Sequence, residues 1–176
     1  MDDLRYPVGR FEAPRTPLSE SQRAEFIRQI EETPAALRAA LAELREDELE
    51  TPYRPGGWTV RQVAHHLPDS HLNAYVRFRL ALTEEEPTIK PYAEDRWAEL
   101  HEAKTAPVGV SLELLSALHR RWVLLLRALA PAEWPRKLRH PELGVVDLDW
   151  MLAQYAWHGR HHVGHVTSLR RRLGWA

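Results

Sequence analysis

Cysteine is absent from the 176 residues. Disulfides, thiolate metal ligands and a thiol nucleophile are therefore excluded, and any metal must be held by histidine or carboxylate. Charge of one sign is also lacking, since the formal net charge is -1. That balance gives no general attraction toward nucleic acid or an anionic membrane, and no partner of either kind is expected. No N-terminal apolar run reads as a signal peptide, and no run of about 18 apolar residues is present to span a bilayer. A cytoplasmic address is the expectation. Hydrophobic residues at 44% and charged residues at 28% are ordinary for a globular chain of one domain, here residues 1–176. What is abundant is histidine, ten residues against roughly four from ordinary usage. Seven tryptophans point to aromatic walls around a core, pocket or interface.

Strand patterns are scarce as well. Residues 1–18 hold three prolines and little periodicity and read as an irregular arm. Ser19 can cap a helix through "SESQRAEFIRQIEETPAALRAALAEL", with Thr33-Pro34 marking a break where a second segment restarts. "TPYRPGGW" is a loop, and Thr59-Val-Arg-Gln62 fits a capping box opening a helix to about Leu82. After a loop at 83–92, "AEDRWAELHEAKT" reads as one short helix. Ser111 starts a long helix that Pro131 and Pro135 end. "RHPELGVVDL" is turn-rich, and a last helix runs from about Leu148 to Leu173 with Gly174 just past its end. Four long amphipathic helices make the expected class all-α, an antiparallel four-helix bundle with an irregular arm and short extra helices.

The last helix contains "YAWHGRHHVGHV", four histidines in eight positions. At about 100° per residue, Leu148, Met151, Leu152, Tyr155, Val166, Leu169 and Leu173 share one sector. His162 falls inside it, His158 at its edge, His165 just beyond, and His161 faces most outward. Residues at i, i+4 stack one turn apart, so His158 and His162 can reach one ion from the core side. Two imidazoles do not complete a catalytic site, which usually has three protein ligands and an open position. The third must come from "VRQVAHHLPDSHLNAYVRF", where a polar stripe of His66, Asp69, Ser70, Asn73 and Arg77 flanks the core face. The wheel itself puts His71 nearest the core, so periodicity leaves the choice open, and Pro68 disturbs the helix between the two candidates. Ordinary buried or solvated histidines are the alternative to a metal site.

"YRPGGWTVRQVAHHLPDSHLNAYVRF", "ALTEEEPTIKPY", "LHRRWVLLLRAL", "YAWHGRHHVGHV" and the "YPVG" arm together resemble the YfiT-type branch of the DinB superfamily. The resemblance covers nearly the whole chain. It implies a four-helix bundle, a metal-dependent hydrolase acting on a small molecule, a homodimer, and one divalent ion per chain, zinc first and nickel second. It makes His66, the second histidine of "HHL", the first ligand, and it takes His158 and His162 from "WHxxHH". His161 and His165 are left as outer or surface residues. Pro68 departs from the branch, where alanine is more usual.

Three neutral imidazoles leave such an ion dipositive and able to lower the pKa of a bound water to about 7. Asp69, one turn from His66, is the candidate to orient a ligand or accept a proton. Asn73 and Arg77 are candidates to hold an anionic part of the substrate. Trp58 and Trp157 are candidate pocket walls, and Trp97, Trp122 and Trp134 serve either the core or an interface. The alternatives are a low-molecular-weight-thiol S-transferase of the bacillithiol type, with Arg5 and Arg10 binding carboxylates of the thiol, and a non-catalytic metal-binding module closed by a fourth ligand.

Overall fold

The computed structural model describes residues 4–175. Its long helices are α1 (Glu20–Leu41), α3 (Val60–Thr83), α6 (Val108–Ala128) and α7 (Leu148–Leu173). Shorter ones are α2 (Glu46–Leu49), α4 (Glu94–Ala98) and α5 (His101–Thr105). Strands β1 (Lys137–His140) and β2 (Gly144–Asp147) form an antiparallel hairpin before α7, with Leu138 opposite Val146. Two starts are set by reciprocal caps. The Gln22 and Thr-box Gln62 side chains accept from the Ser19 and Thr59 backbone N–H, while the Ser19 and Thr59 hydroxyls accept from the Gln22 and Gln62 N–H. Asp147 caps α7 by accepting from Trp150 N–H at 2.8 Å. Gly174 ends it at φ 66°, a conformation that favours glycine.

Helix α1 packs on α6 and α7, and α3 packs on the same two. The N-terminal halves of α1 and α7 share one apolar cluster with the C-terminal halves of α3 and α6, around Ile30, Phe78, Trp122 and Leu152. The opposite halves meet in a second cluster around Leu37, Val63, Leu67, Leu115 and Val166. Two helices therefore run each way, and the 84–107 connection carries the chain from α3 back to the start of α6. The site lies between the two clusters. There α3 offers His66 and His71, α6 offers His119, and α7 offers His158 and His162, with His161 and His165 beside them under the arm.

Several expectations are corrected. The α1 helix runs through Thr33-Pro34 unbroken, because a proline removes one hydrogen bond without forbidding helical dihedrals. Pro68 likewise sits inside a continuous α3. The 93–105 segment is two helices, α6 begins at Val108, and the turn-rich stretch contains a hairpin. Trp122 and Trp134 belong to the core, whereas Trp97 remains 39% exposed. Leu173 is exposed at the end of α7.

His161 was expected outermost, yet it is buried, and so is His165. The arm is the reason. Residues 4–18 cover this face of α7: Trp157 Nε1 donates to the Gly9 carbonyl at 3.1 Å, and His165 Nε2 lies 3.0 Å from the Arg5 carbonyl. Gly164 makes room, since a Cβ there would stand 3.0 Å from Val8 Cγ1. Gly159 does the same on the α1 side, where a Cβ would meet Thr33 Oγ1 at 2.5 Å. The arm's far end is pinned by buried Asp149, which accepts from Leu18 N–H at 2.9 Å and pairs with Arg23.

Candidate metal centre

His66 comes to the α7 pair through the packing of α3 on α7. One nitrogen from each of His66, His158 and His162 falls within 4.8 Å of the others. The ring centroids are 5.4 Å apart for His66–His158, 4.7 Å for His66–His162 and 4.5 Å for His158–His162. Burial, reinforced by the neighbouring imidazoles, holds all three rings neutral: His66 is lowered to about 3, and His158 and His162 fall well below the usual histidine value. Neutral imidazole is the form that ligates. His66 Nε2 and His158 Nε2 are 3.4 Å apart, close to the roughly 3.3 Å between two nitrogens each about 2.05 Å from a tetrahedral zinc. The donor set fits a divalent ion.

A second trio, His161, His162 and His165, also has nitrogens within 4.8 Å of one another. Both His165 nitrogens already have contacts, Nε2 with the Arg5 carbonyl and Nδ1 with His162 Nδ1 at 3.4 Å. His161 stacks on Trp157 at 4.3 Å. The trio containing His66 leaves its nitrogens freer to converge. His71 is fully buried, with Nδ1 bonded to His119 and Nε2 bonded to His158, so it is not positioned as a ligand. His65, the other histidine of the pair in "HHL", bonds Ser111 Oγ and the Ala106 carbonyl and serves packing.

A profile of the DinB superfamily matches residues 29–166. The chain belongs to the DinB superfamily. Over 175 residues it is 53% identical to proteins of Bacillus cereus strain B4264 and Bacillus mycoides strain KBAB4, covering 99% of this chain and all of each relative. Both carry the name "Putative metal-dependent hydrolase". Its fold is similar to that of Bacillus subtilis YfiT, described as "a probable metal-dependent hydrolase with an unusual four-helix bundle topology", at TM-score 0.95 and 48% identity over 98% of this chain and 99% of that one. A second four-helix bundle protein, at TM-score 0.59 and 24% identity over 83% of this chain and 98% of its own, shares the fold. No helix of the described residues is long and apolar enough to cross a membrane.

In this DinB chain the three histidines line a cavity of about 430 Å³ between the arm, the 53–58 loop, α4 and α7. Trp58 packs on His66 at 4.6 Å, and Trp157 closes the arm side, so both are walls of the pocket. Arg5 lines it too, whereas Arg10 lies over the Tyr6 ring at 4.1 Å. Beyond His158 a second compartment of about 480 Å³ is lined by Ser70, Arg77, Tyr92, His140 and Tyr155. Gln154, Glu94, Asp95 and His158 line both, so the two are contiguous. Arg77 is 8% exposed, donates to Tyr155 Oη at 3.1 Å, and has a buried Nε with no hydrogen-bond partner. Among the described residues no carboxylate lies in ion-pair range of it. Burial keeps the Tyr155 and Tyr92 phenols protonated. The polar stripe of α3 thus divides: His66, Ser70 and Arg77 face the cavities, while Asp69 and Asn73 line neither. Tyr92 and Gln154 carried no signal in the sequence, and Tyr155 read only as a core residue of the last helix, because periodicity does not reveal which elements meet α3.

Asn73 Nδ2 donates to the Asp69 carbonyl one turn back. The Asp69 carboxyl is half-buried, and burial with Glu102 nearby raises it to about 6. Between its unfolded value near 4 and that folded value, the native chain keeps a proton the unfolded chain has lost, and above pH 6 it carries the charge at a cost. Asp69→Asn is therefore expected to stabilise the fold by about 1–2 kcal/mol at pH 7.5, after allowance for solvent screening, and by almost nothing at pH 3.5. Urea midpoints of both proteins at the two pH values check it. A mutant less stable than wild type at pH 7.5 would show that Asp69 is held by a favourable partner instead.

Proposed function

We propose that the chain is a metal-dependent hydrolase acting on a small molecule with an anionic group. One divalent ion, zinc first and nickel second, would be held by His66, His158 and His162. The observation that carries the reading is the convergence of three neutral imidazole nitrogens from two helices onto one cavity. Such an ion supplies Lewis acidity, polarising a carbonyl and making water a better nucleophile at neutral pH.

The chain's own residues supply the rest. Arg77, a buried cation with no carboxylate partner among the described residues, would take a carboxylate or phosphate of the substrate in the second compartment, and that contact would orient the reacting group toward His158. Tyr155, already accepting from Arg77, keeps a hydroxyl proton to donate to the same anion. Trp58, Trp157 and the arm keep bulk water from the imidazoles. Asp69 acting as a base, and Asn73 as an anion contact, belong to this reading only if substrate binding rearranges α3, since neither lines a cavity. The cavity onto which the three imidazoles open, large enough for a small molecule, supports catalysis over a closed metal-binding module. The homodimer expected from the resemblance is part of the same reading, and a sedimenting mass twice that of the chain checks it.

The test is elemental analysis of untagged protein, followed by a screen of small esters and amides with and without a carboxylate. Low-molecular-weight thiols with an electrophilic acceptor run alongside. Hydrolysis of anionic members, with Arg77→Met raising KM at least tenfold while metal content is kept, is the expected result. Turnover only in the thiol arm would replace hydrolysis by S-transfer. Loss of activity equal for charged and neutral members would remove Arg77 from substrate recognition.

A further inference from the structure

The buried histidines on α3 and α6 form a chain that ends at a candidate ligand. His119 Nδ1 lies 2.6 Å from the Ile30 carbonyl, His119 Nε2 lies 2.9 Å from His71 Nδ1, and His71 Nε2 lies 3.1 Å from His158 Nδ1. A carbonyl oxygen only accepts, so His119 must carry its proton on Nδ1. A neutral His119 then accepts at Nε2, which puts the His71 proton on Nδ1. His71 accepts at Nε2 in turn, which puts the His158 proton on Nδ1. The lone pair of His158 is left on Nε2, the atom 3.4 Å from His66 Nε2. With every ring neutral, only this proton assignment satisfies every bond in the chain. Both rings are buried, His71 fully, and the partners they bond are imidazoles and a carbonyl rather than a carboxylate, which keeps them neutral.

The anchor carbonyl is available for a reason that lies in α1. In a regular helix the Ile30 carbonyl would accept from the N–H of the residue four places on. That residue is Pro34, which has no N–H. The proline inside α1 therefore vacates a fully buried carbonyl, and His119 from α6 fills it. A shorter chain repeats the device at His162. His165 Nε2 bonds the Arg5 carbonyl at 3.0 Å, so its Nδ1 is the acceptor facing His162 Nδ1 at 3.4 Å, and the His162 lone pair is again left on Nε2.

We propose that His119 and His71 are positioning residues that lock His158 as the Nδ1–H tautomer, so that Nε2 is presented to the metal, with the Pro34-vacated carbonyl of Ile30 as the fixed end of the lock. The chain orients and does not conduct, because its last acceptor is a peptide oxygen that cannot pass a proton on. The inference rests on the metal reading of His158, but its first readout needs no metal.

The experiment is two-bond ¹H–¹⁵N correlation spectroscopy of the metal-free protein with ¹⁵N-labelled histidine, wild type beside His119→Gln and His119→Phe, followed by zinc affinity from competition with a chelator. Wild type is expected to show His158 as Nδ1–H. Glutamine can donate to the Ile30 carbonyl and accept from His71, so His119→Gln is expected to keep that tautomer and stay within about threefold in affinity. Phenylalanine can do neither, and His119→Phe is expected to mix the tautomers of His71 and His158 and to weaken zinc binding about 10- to 100-fold, the usual cost of an outer-shell partner. Nε2–H at His158 in the wild type overturns the proposal. So does zinc affinity in a folded His119→Phe protein equal to that of wild type. If His119→Phe does not fold, the wild-type and glutamine spectra decide alone. A locked His158 in a wild type that binds no zinc refutes the metal reading and leaves the lock standing.

Discussion

Alanine in place of His158 or His162 is expected to lower zinc affinity by well over the roughly 100-fold that losing an outer-shell partner costs. His66→Ala should match them, because each removes one of three converging nitrogens. His161→Ala should weaken binding by less than about tenfold, since its ring stacks on Trp157 and its Nδ1 bonds none of the three imidazoles, which makes it neither a ligand nor an outer-shell partner on this reading. The contrast separates the two histidine trios. His162 belongs to both, His66 and His158 only to the one opening beneath Trp58, and His161 and His165 only to the one under the arm. Metal content of the four purified variants, with chelator competition for those that retain an ion, gives the ranking. Equal losses from His161→Ala and His162→Ala, with His66→Ala unchanged, would move the ion to the second trio.

The metal-free protein is expected to unfold cooperatively in mild acid, with a midpoint at about pH 5. His66, His71, His119, His158, His161, His162 and His165 are all lowered in the folded state, chiefly by burial. Above their unfolded value near 6.5 neither state binds these protons, and stability does not depend on them. Below it the unfolded chain takes up protons that the folded chain refuses, so stability falls as pH falls, by up to about 1.4 kcal/mol per pH unit for each ring. Several rings acting together exhaust a typical stability of about 5–15 kcal/mol within one to two pH units. Asp69 has the opposite sign and recovers only a small part of it. Circular dichroism during acid titration, with chelator and with excess zinc, measures the effect. Zinc should move the midpoint to lower pH, because it binds the native trio alone. A metal-free protein still folded at pH 4 would mean that water reaches these rings and that the layer is not dry.

How much of this was legible in the sequence follows from what periodicity encodes. The capping boxes at Ser19 and Thr59 and the 3.6-residue patterns placed α1, α3 and α7 to within a few residues. The i, i+4 relation of His158 and His162 made them partners before any fold was considered. The absence of cysteine confined any metal to imidazole and carboxylate. The short β hairpin was not legible, because four-residue strands with one or two buried positions carry almost no pattern.

A helical wheel reports which residues share a face of one helix, and it is blind to what covers that face. It therefore left His66 and His71 as rivals, which the packing of α3 against α6 and α7 separates into a member of the trio and a backing residue. It placed His161 outward, because the arm that buries it comes from the other end of the chain. The same holds for Pro34, which reads in the sequence as a helix break and in the fold as the source of a free carbonyl for His119. Composition and local spacing determined the helices, the all-α class and the chemistry open to a metal. Tertiary structure alone decided which imidazoles meet, because such contacts and the proton each ring carries are properties of pairs of elements, and no single helix contains them.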